Sequence, residues 1–467
     1  MNGRSIGSRH IPMSMPAGLD FTAFPTGARP RFAFLHFSLG IHARHVHAPK
    51  RPKRGTIRPQ VKAAWYEKNG PAADVLRVGD MPIPEPGPGE VRVRVVASGL
   101  NPTDVKSRGG SRPMGFPRVV PHQDGAGVID KVGRGVPASR LGERVWLYIV
   151  QWQRAWGTAA EYTVVPARLA VTLPANTTFA QGACLGIPAV TAHRCLFADG
   201  PISGQTVLVT GGAGAVGNYA VQLAKWAGAT VIATVSSADK AAGAVAAGAD
   251  HTVNYKTSDA ATEILQLTGG AGVDRIVDVD FGGNLSVSGR VIKTNGVIAS
   301  YASMGDPDPK LPFYTLMGKN ATIRPVLIYT MPDRAKDDAE RDVSHLAEAG
   351  RMVHVIGARF PLDRIVQAHE AQESGKVTGN IVVDVAPDQI VLSEHAAAGD
   401  IPATRRSDGP PGACSTPRSL PPHSTVRARL RKQRRAPSAR GSWRRSSDAE
   451  ESGRPGRVRD NCGRGPR

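Results

Sequence analysis

The stretch that decides the fold lies near the middle of the chain and reads Thr206-Val207-Leu208-Val209-Thr210-Gly211-Gly212-Ala213-Gly214-Ala215-Val216-Gly217. Its first five residues are typical of a strand in a parallel sheet that is buried on both faces. The glycines at 212, 214 and 217 follow the G-x-G-x-x-G spacing, and an apolar stripe from Val216 to Ala227 predicts a helix that ends at Gly228. Because the glycine run follows a strand and opens a helix, it predicts a dinucleotide-binding turn, with a ligand-free turn as the alternative.

The residues after this turn also predict which dinucleotide it binds. The helix N-terminus supplies free N–H groups and the positive end of a dipole to the phosphates. The next strand, residues 231–235, ends at Ser236 and Ser237, with Lys240 close behind and no acid before Asp239. An acid there would bind the ribose 2′-hydroxyl of NAD, whereas hydroxyls and a cation suit a 2′-phosphate. Lys240, and Tyr255 at the end of the following strand, could both reach that phosphate. Together with Ser236 they predict NADPH, and a solvated surface lysine is the alternative interpretation of Lys240.

Strand and helix patterns alternate on both sides of the turn. Apolar strands recur at residues 273–279 and 297–300, which predicts a doubly wound parallel sheet with short links. Before residue 170, short β-like stretches such as Glu90–Val95 alternate apolar and charged residues, as in an antiparallel, barrel-like domain. We expect the apolar segment 380–385 to pair back into that first domain.

The charge of the chain lies mostly in its two end segments. The 467 residues carry a formal net charge of +20, which alone would favour a nucleic-acid or membrane-surface binder. Residues 1–60 hold ten Lys and Arg against one acid, residues 386–467 hold seventeen against eight, and the 325 residues between them keep only +2. Neither end segment has an apolar period, so both are predicted to be disordered and to contact nucleic acid only non-specifically, through charge.

Val61 bears on where translation of the protein begins. The compact region opens at Val61, which favours translation beginning there at a GTG codon; a transit peptide is the alternative for the Arg-rich leader.

No apolar run is long enough to predict a membrane span. The scattered cysteines, which match neither a disulfide framework nor a zinc motif, indicate an intracellular, cytoplasmic location; they are Cys184, Cys195, Cys414 and Cys462.

Ordered motifs across residues 61–385 resemble the zinc-free medium-chain dehydrogenases/reductases, specifically the quinone oxidoreductase group that includes zeta-crystallin. Besides the glycine turn and the Ser236-Ser237 region, they are Pro86–Val91, Asn101-Pro102-Thr103-Asp104, Asp124–Val128, Gly186–Ala192 and Gly375–Asn380. The resemblance implies a GroES-like β-barrel domain over 61–185, a Rossmann domain over 186–320, and a return segment over 321–385. It further implies hydride transfer from NADPH to a quinone or another α,β-unsaturated carbonyl, in a homodimer.

The same resemblance assigns roles to individual residues. Asn101 and Thr191 would lie near the nicotinamide, and Asn380 could touch the cofactor. The pyrophosphate contacts carried over by motif are Ala213, Gly214, Ala215 and Val216.

Two positions depart from related enzymes. Zinc alcohol dehydrogenases have a Cys where Asn101 stands and a His where Gln123 stands, and no nearby Cys replaces the thiolate. Because catalytic zinc needs three protein ligands, we expect no metal site and interpret His122 as an ordinary loop histidine. Lys106 occupies a position where many quinone reductases carry a Tyr near the substrate, which weakens any transfer of substrate preference.

The segment Tyr148–Trp156 is rich in aromatic residues. Tyr148 and Trp152 are candidates to stack on a flat quinone ring, and packing of these rings on the barrel is the alternative. No residue is assigned as general acid, since solvent can supply the proton. Two other functions stay open: an alkenal or enoyl reductase of the same fold, and a non-catalytic NADPH- and RNA-binding protein of the zeta-crystallin type.

Overall fold

The computed structural model describes residues 60–386 of the chain. The predictions made for the two basic end segments fall outside these residues. The strands are β1 Gln60–Trp65, β2 Arg77–Pro82, β3 Glu90–Leu100, β4 Asp124–Val132, β5 Arg144–Leu147, β6 Tyr162–Pro166, β7 Ala170–Thr172, β8 Thr206–Val209, β9 Thr230–Val235, β10 His251–Asn254, β11 Val273–Asp278, β12 Ile292–Ser300, β13 Thr322–Pro325, β14 Ile356–Pro361 and β15 Asn380–Asp384. The α-helices are α1 Ala72–Val75, α2 Pro102–Gly109, α3 Phe179–Gly182, α4 Gly186–Phe197, α5 Ala215–Trp226, α6 Ala238–Ala246, α7 Ala260–Leu267, α8 Phe281–Val291, α9 Phe313–Gly318, α10 Asp333–Glu348 and α11 Ile365–Glu373.

Six parallel strands between residues 206 and 325 form the sheet of the second half of the chain. Their order is β10-β9-β8-β11-β12-β13. Numbered from β8, this is the order 3-2-1-4-5-6 of a doubly wound dinucleotide-binding sheet. The strand order reverses between β8 and β11, and ligands of such sheets bind outside the carboxyl ends of the strands at that point. The fold therefore places the glycine turn, which follows β8, at the expected ligand crevice.

The sheet of the first half is antiparallel around its long central strand β3. Its order is β14-β15-β3-β4-β5-β7, and β6 also pairs with β3. Along β3, Val91, Val93 and Val95 are buried while the arginines between them are partly exposed, as the alternating sequence predicts. β15 pairs antiparallel with β3, with Ile381 opposite Leu100. Residues from both ends of the described range thus complete one sheet.

Helix α4 joins the two halves. The apolar segment over residues 179–198 forms two helices, because the chain turns between α3 and α4. Thr178 and Gln181 cap α3 reciprocally. One apolar cluster then contains side chains of both halves, among them the fully buried Trp146, Leu196 and Leu223. This shared core fixes the two sheets about the crevice. Within residues 60–386, no helix has the length and apolar character needed to cross a membrane.

Candidate dinucleotide and acceptor sites

The glycine turn between β8 and α5 is fixed by close packing. Gly211 has φ +66°, a left-handed conformation that favours glycine. A Cβ at Gly212 would lie 2.7 Å from the Cβ of Ala233, and one at Gly217 would overlap the carbonyl oxygen of Gly211. Gly214 instead is exposed and forms the N-cap of α5. Gly212 and Gly217 therefore allow close packing, and Gly214 leaves the helix terminus open.

The N-terminus of α5 is suited to a phosphate group. No side chain caps this twelve-residue helix, since Gly214 has none to offer. The N–H groups of its first turn have no intrahelical acceptor, and the helix dipole adds partial positive charge there. Ala213, Gly214, Ala215 and Val216 surround this position. The uncapped terminus and the open face at Gly214 fit the pyrophosphate of a dinucleotide.

The carboxyl end of β9 holds a lysine and two serines. Ser237 is the N-cap of α6, and its hydroxyl accepts the backbone N–H of Lys240 at 3.3 Å. The Lys240 ammonium donates to the Ser236 hydroxyl at 3.1 Å. Among residues 60–386, no carboxylate lies within ion-pair distance of Lys240. Tyr255 directly follows β10, and 48% of its surface is exposed. The structure thus places a cation and hydroxyls at this strand end.

Asn101, Asp124 and the start of α4 meet between the two halves. Asn101 Nδ2 and the backbone N–H of Ile187 both donate to Asp124 Oδ2, each at 2.8 Å. Asp124 is fully buried, and burial raises its pKa well above the usual range. Thr191, which is also buried, lies one turn further along α4. Of the two side chains expected near the nicotinamide, Asn101 is therefore tied to a buried carboxyl group, and Thr191 lies on the helix that begins against the same group.

Asn380 lies beside Asn101 at the end of the first-half sheet. It precedes Ile381, which pairs with Leu100, so the antiparallel register places Asn380 next to Asn101. Its side-chain amide donates to the carbonyl oxygen of Val355 at 3.1 Å. The side chain is 8% exposed. Asn380 is thus at the edge of the crevice, with part of its hydrogen-bonding capacity used by the loop before β14.

A cavity of about 220 Å³ opens beside α2 and is lined by aromatic and polar residues of the first half. Trp152 lines this cavity and stacks on Tyr329, with ring centroids 4.3 Å apart and an interplanar angle of 16°. Arg112 lies over both rings, 5.2 Å and 5.7 Å from their centroids. Tyr329 donates a hydrogen bond to Thr103 Oγ1 at 3.1 Å, which links this stack to α2.

Tyr148 and Trp152 have different environments although they belong to one loop. Tyr148 is fully buried, and its hydroxyl donates to the Glu340 carboxylate. Its ring is therefore not available to stack on a substrate, contrary to the sequence expectation. Trp152 is half-buried at the cavity. Of the two candidate stacking residues, the structure brings only Trp152 to the cavity.

Asp104 and His122 make buried contacts that were not predicted from the sequence. Asp104 is buried at the start of α2 and accepts the N–H of Asn101 at 2.8 Å, and burial raises its pKa to about 7. His122 has φ +78° and stacks on His369, with 3.0 Å between their Nε2 atoms. Burial lowers the pKa of His122 to about 3, so this pair is neutral. A capping box at Asn101 and Asp104 was the available signal for Asp104.

Gln123 and its neighbour His122 lie where zinc alcohol dehydrogenases have a zinc ligand, and both contact other side chains. Gln123 donates from its amide to Gln151 Oε1 at 3.1 Å, and His122 faces His369. Within the described range 60–386, no three His, Cys, Asp or Glu side chains come together to hold a metal ion.

Comparisons with known proteins agree with this architecture. Residues 87–175 match the alcohol dehydrogenase GroES-like domain, and residues 215–348 match the zinc-binding dehydrogenase domain. A 2-haloacrylate reductase from a Burkholderia species is 30% identical over 69% of this chain and 98% of its own length. A quinone oxidoreductase from Rattus norvegicus is 31% identical over 67% of this chain and 94% of its own length.

A solved structure supports the same assignment. A mycobacterial protein in complex with NADPH superposes with a TM-score of 0.62 and 28% identity, over 70% of this chain and 100% of that chain. A GroES-like domain joined to a doubly wound sheet with a glycine turn defines a medium-chain dehydrogenase/reductase. More specifically, the chain belongs to the zinc-independent quinone oxidoreductase family of these enzymes.

Proposed function

We propose that the protein reduces quinones or other α,β-unsaturated carbonyl compounds with NADPH. The observation that carries this proposal is Trp152, which lines a cavity beside α2 and stacks on the ring of Tyr329. Flat conjugated rings stack favourably on such aromatic surfaces. The relatives named quinone oxidoreductase and 2-haloacrylate reductase support an acceptor with a conjugated double bond.

We assign the binding of the cofactor to the residues around the glycine turn. Ala213, Gly214, Ala215 and Val216 would hold the pyrophosphate at the N-terminus of α5. Ser236, Lys240 and Tyr255 would surround the 2′-phosphate, which makes NADPH the preferred dinucleotide. Asn101 and Thr191 would orient the nicotinamide, and Asn380 would contact the cofactor from the start of β15. When bound, the dihydronicotinamide supplies the hydride that the acceptor takes up.

The protein's own contribution to the reaction is orientation and exclusion of water. The Asn101–Asp124–Ile187 contact holds the first half of the chain against α4, so the crevice keeps one shape. The aromatic wall displaces water from the acceptor face. The acceptor gains one hydride and one proton, and we assign the proton to solvent. An alkenal or enoyl reductase is the second candidate, favoured by the 2-haloacrylate reductase relative.

The proposal is tested by measuring NADPH oxidation by the full chain. A panel of ortho-quinones, para-quinones and alkenals should show turnover with the first two classes at the highest kcat/KM. Preferential turnover of alkenals would instead establish the second candidate. If the cofactor binds but no acceptor oxidises NADPH, the result favours the non-catalytic RNA-binding function. An RNA titration at several salt concentrations then tests that function.

We also propose a homodimer in the cytoplasm. β13 is the outer strand of the six-stranded sheet, and no described residue pairs with its free edge. Large apolar side chains are exposed around it, including Tyr314 at 79% and Phe313 at 58%. A free edge beside an apolar surface suits pairing with a second copy of the chain. Cys184 and Cys195 are buried free thiols, as in proteins of a reducing compartment.

A further inference from the structure

We propose that Arg112 binds a carboxylate of the acceptor, so that the preferred substrates are α,β-unsaturated compounds that carry a carboxylate group. This inference rests on the proposed function and specifies its substrate class. The atoms that react remain those of the conjugated double bond: hydride is added at the β-carbon, a solvent proton is added at the α-carbon, and NADPH becomes NADP⁺. Arg112 contributes recognition and charge stabilisation at the far end of the acceptor.

The first observation is the rigid placement of the guanidinium. Arg112 lies over the stacked rings of Trp152 and Tyr329, and its Nη2 donates to Thr103 Oγ1 at 3.1 Å. Stacking on aromatic faces leaves the edge of a guanidinium free to donate hydrogen bonds. An arginine held this way loses little conformational freedom when it binds a planar carboxylate.

The second observation is the missing counter-ion. Arg112 is half-buried, yet no carboxylate lies within ion-pair distance of it among residues 60–386. Asp104 acts on it electrostatically, but that carboxyl is itself buried, and its Oδ2 accepts the N–H of Asn101. A partly desolvated cation without a partner costs free energy, which a bound anion would offset. Arg112 is therefore able to pair with a bound anion.

A second cation, Lys106, lies on α2, the helix that ends shortly before Arg112. Lys106 is three residues after Thr103, so the two side chains are neighbours on the helix. The Lys106 ammonium contacts the sulfur of Met304, which follows β12 in the second half of the chain, at 2.9 Å. Lys106 has no carboxylate partner within the described range either. Lys106 on α2 and Arg112 just after the helix thus place two cations in one short segment, which would attract an anionic acceptor.

The cavity itself has the composition that a small unsaturated acid requires. Arg112 supplies the charge at one side, while Met114, Phe116 and Trp152 supply apolar surface for the carbon skeleton. A few placed polar groups within an apolar lining are what fix the orientation of a small ligand. The carboxylate would be held at Arg112, and the conjugated carbons would lie along the rings.

The test compares 2-chloroacrylate with its methyl ester and with 1,4-benzoquinone in NADPH oxidation assays. Arg112→Met should raise KM for the acid by about 10- to 100-fold, the range expected for a charge-assisted hydrogen-bonded pair. The KM values for the ester and the quinone should rise by a clearly smaller factor, since neither uses the charge and both lose only the packing of Arg112 on the rings. Arg112→Lys should restore part of the affinity, because it keeps the charge and loses the planar fork.

The matched control is Arg118→Met. Arg118 lies over the Trp65 ring at 5.2 Å and pairs with Glu67, so it is a stacked arginine that already has a counter-ion. This variant should leave all three KM values unchanged. An equal loss for acid, ester and quinone in Arg112→Met would show a purely structural role and overturn the inference. A wild-type enzyme that does not distinguish the acid from its ester would overturn it as well.

A binding measurement keeps this inference separate from the proposed function. Calorimetric titration of the full chain with 2-chloropropionate, the saturated acid, in the presence of NADP⁺ needs no turnover. Binding to wild type that is lost in Arg112→Met supports the inference even if no acceptor oxidises NADPH. Turnover of quinones without binding of the acid would leave the proposed function intact and refute the role of Arg112.

Discussion

Gly186 and Asp124 fit against each other at the junction of the two halves. A Cβ at residue 186 would overlap Asp124 Oδ1, an oxygen that is buried and has no hydrogen-bond partner among the described residues. The same carboxyl group accepts the N–H of Ile187 through its other oxygen. The absence of a side chain at residue 186 therefore allows α4 to begin directly against the first-half sheet.

Gly186→Ala should destabilise the protein, since the added methyl group must displace either α4 or the Asp124 carboxyl. We expect a loss of about 1–3 kcal/mol in the free energy of unfolding, as for overpacked cores. Gly289→Ala is the control, because a Cβ there meets nothing within 4 Å in helix α8. That variant should be neutral or gain about 0.5–1 kcal/mol. Urea denaturation of both variants checks this, and equal stabilities would contradict it.

Lys240→Glu should change the cofactor preference. A carboxylate beside Ser236 would repel a 2′-phosphate and accept a ribose hydroxyl, so KM for NADPH should rise by about tenfold or more. KM for NADH should stay the same or fall. Lys68→Glu, at an exposed position of the first half, matches the change in net charge and should leave both values unaltered. Equal effects of Lys240→Glu on the two cofactors would refute the assignment of Lys240.

Trp152→Leu should lower kcat/KM for quinones by about tenfold, since a stacked aromatic contact contributes about 0.5–1.5 kcal/mol beyond its buried area. Tyr148→Phe is the comparison within the same loop. It removes a buried hydrogen bond to Glu340 and should reduce stability while leaving kcat/KM within about twofold. Steady-state assays with a para-quinone distinguish the two. A larger catalytic loss in Tyr148→Phe would mean that the loop acts on the acceptor through Tyr148.

The parallel sheet could be predicted from the sequence because its signals are local. The strand before Gly211 and the apolar stripe of α5 are each contained in a few consecutive residues. The aromatic stack depends instead on residues that are distant in the chain. Trp152 lies in a loop and Tyr329 in a one-turn 3₁₀ helix, and neither segment is long enough to show a periodicity. The same lack of periodicity explains why the sequence could not indicate which of Tyr148 and Trp152 is buried and which reaches the cavity. Arg112 had no motif at all, and only its stacking partners reveal it.

The buried carboxyl of Asp104 should make stability depend on pH. Burial raises its pKa from 3.8 to about 7, so the folded protein keeps a proton that the unfolded chain releases between these values. Stability therefore falls as pH rises through this window, by at most about 1.4 kcal/mol per pH unit for this group. Asp104→Asn, which can still cap α2, should reduce that slope. Denaturant titrations between about pH 4 and pH 8 measure it.

Asp259 provides the opposite case for this measurement. Hydrogen bonds from Thr262 and Arg290 lower its pKa to about 2 at the start of α7. Its stabilising effect is therefore complete above pH 4 and is lost only as pH falls further. Asp259→Asn should shift the stability curve evenly over the tested window without changing its slope. A slope unchanged by Asp104→Asn would show that Asp104 is ionised in the fold.

Tyr314→Glu should disrupt the proposed dimer. Tyr314 is the most exposed of the apolar side chains near β13, and a carboxylate at a buried interface would lose its hydration without gaining a partner. Val245→Glu serves as the control, since Val245 is 56% exposed on α6, which follows β9 near the opposite edge of the sheet. Light scattering coupled to size-exclusion chromatography should give a dimer mass for wild type and Val245→Glu, and the 49.3 kDa monomer for Tyr314→Glu. A monomeric wild type, or dissociation by Val245→Glu alone, would contradict an interface at β13.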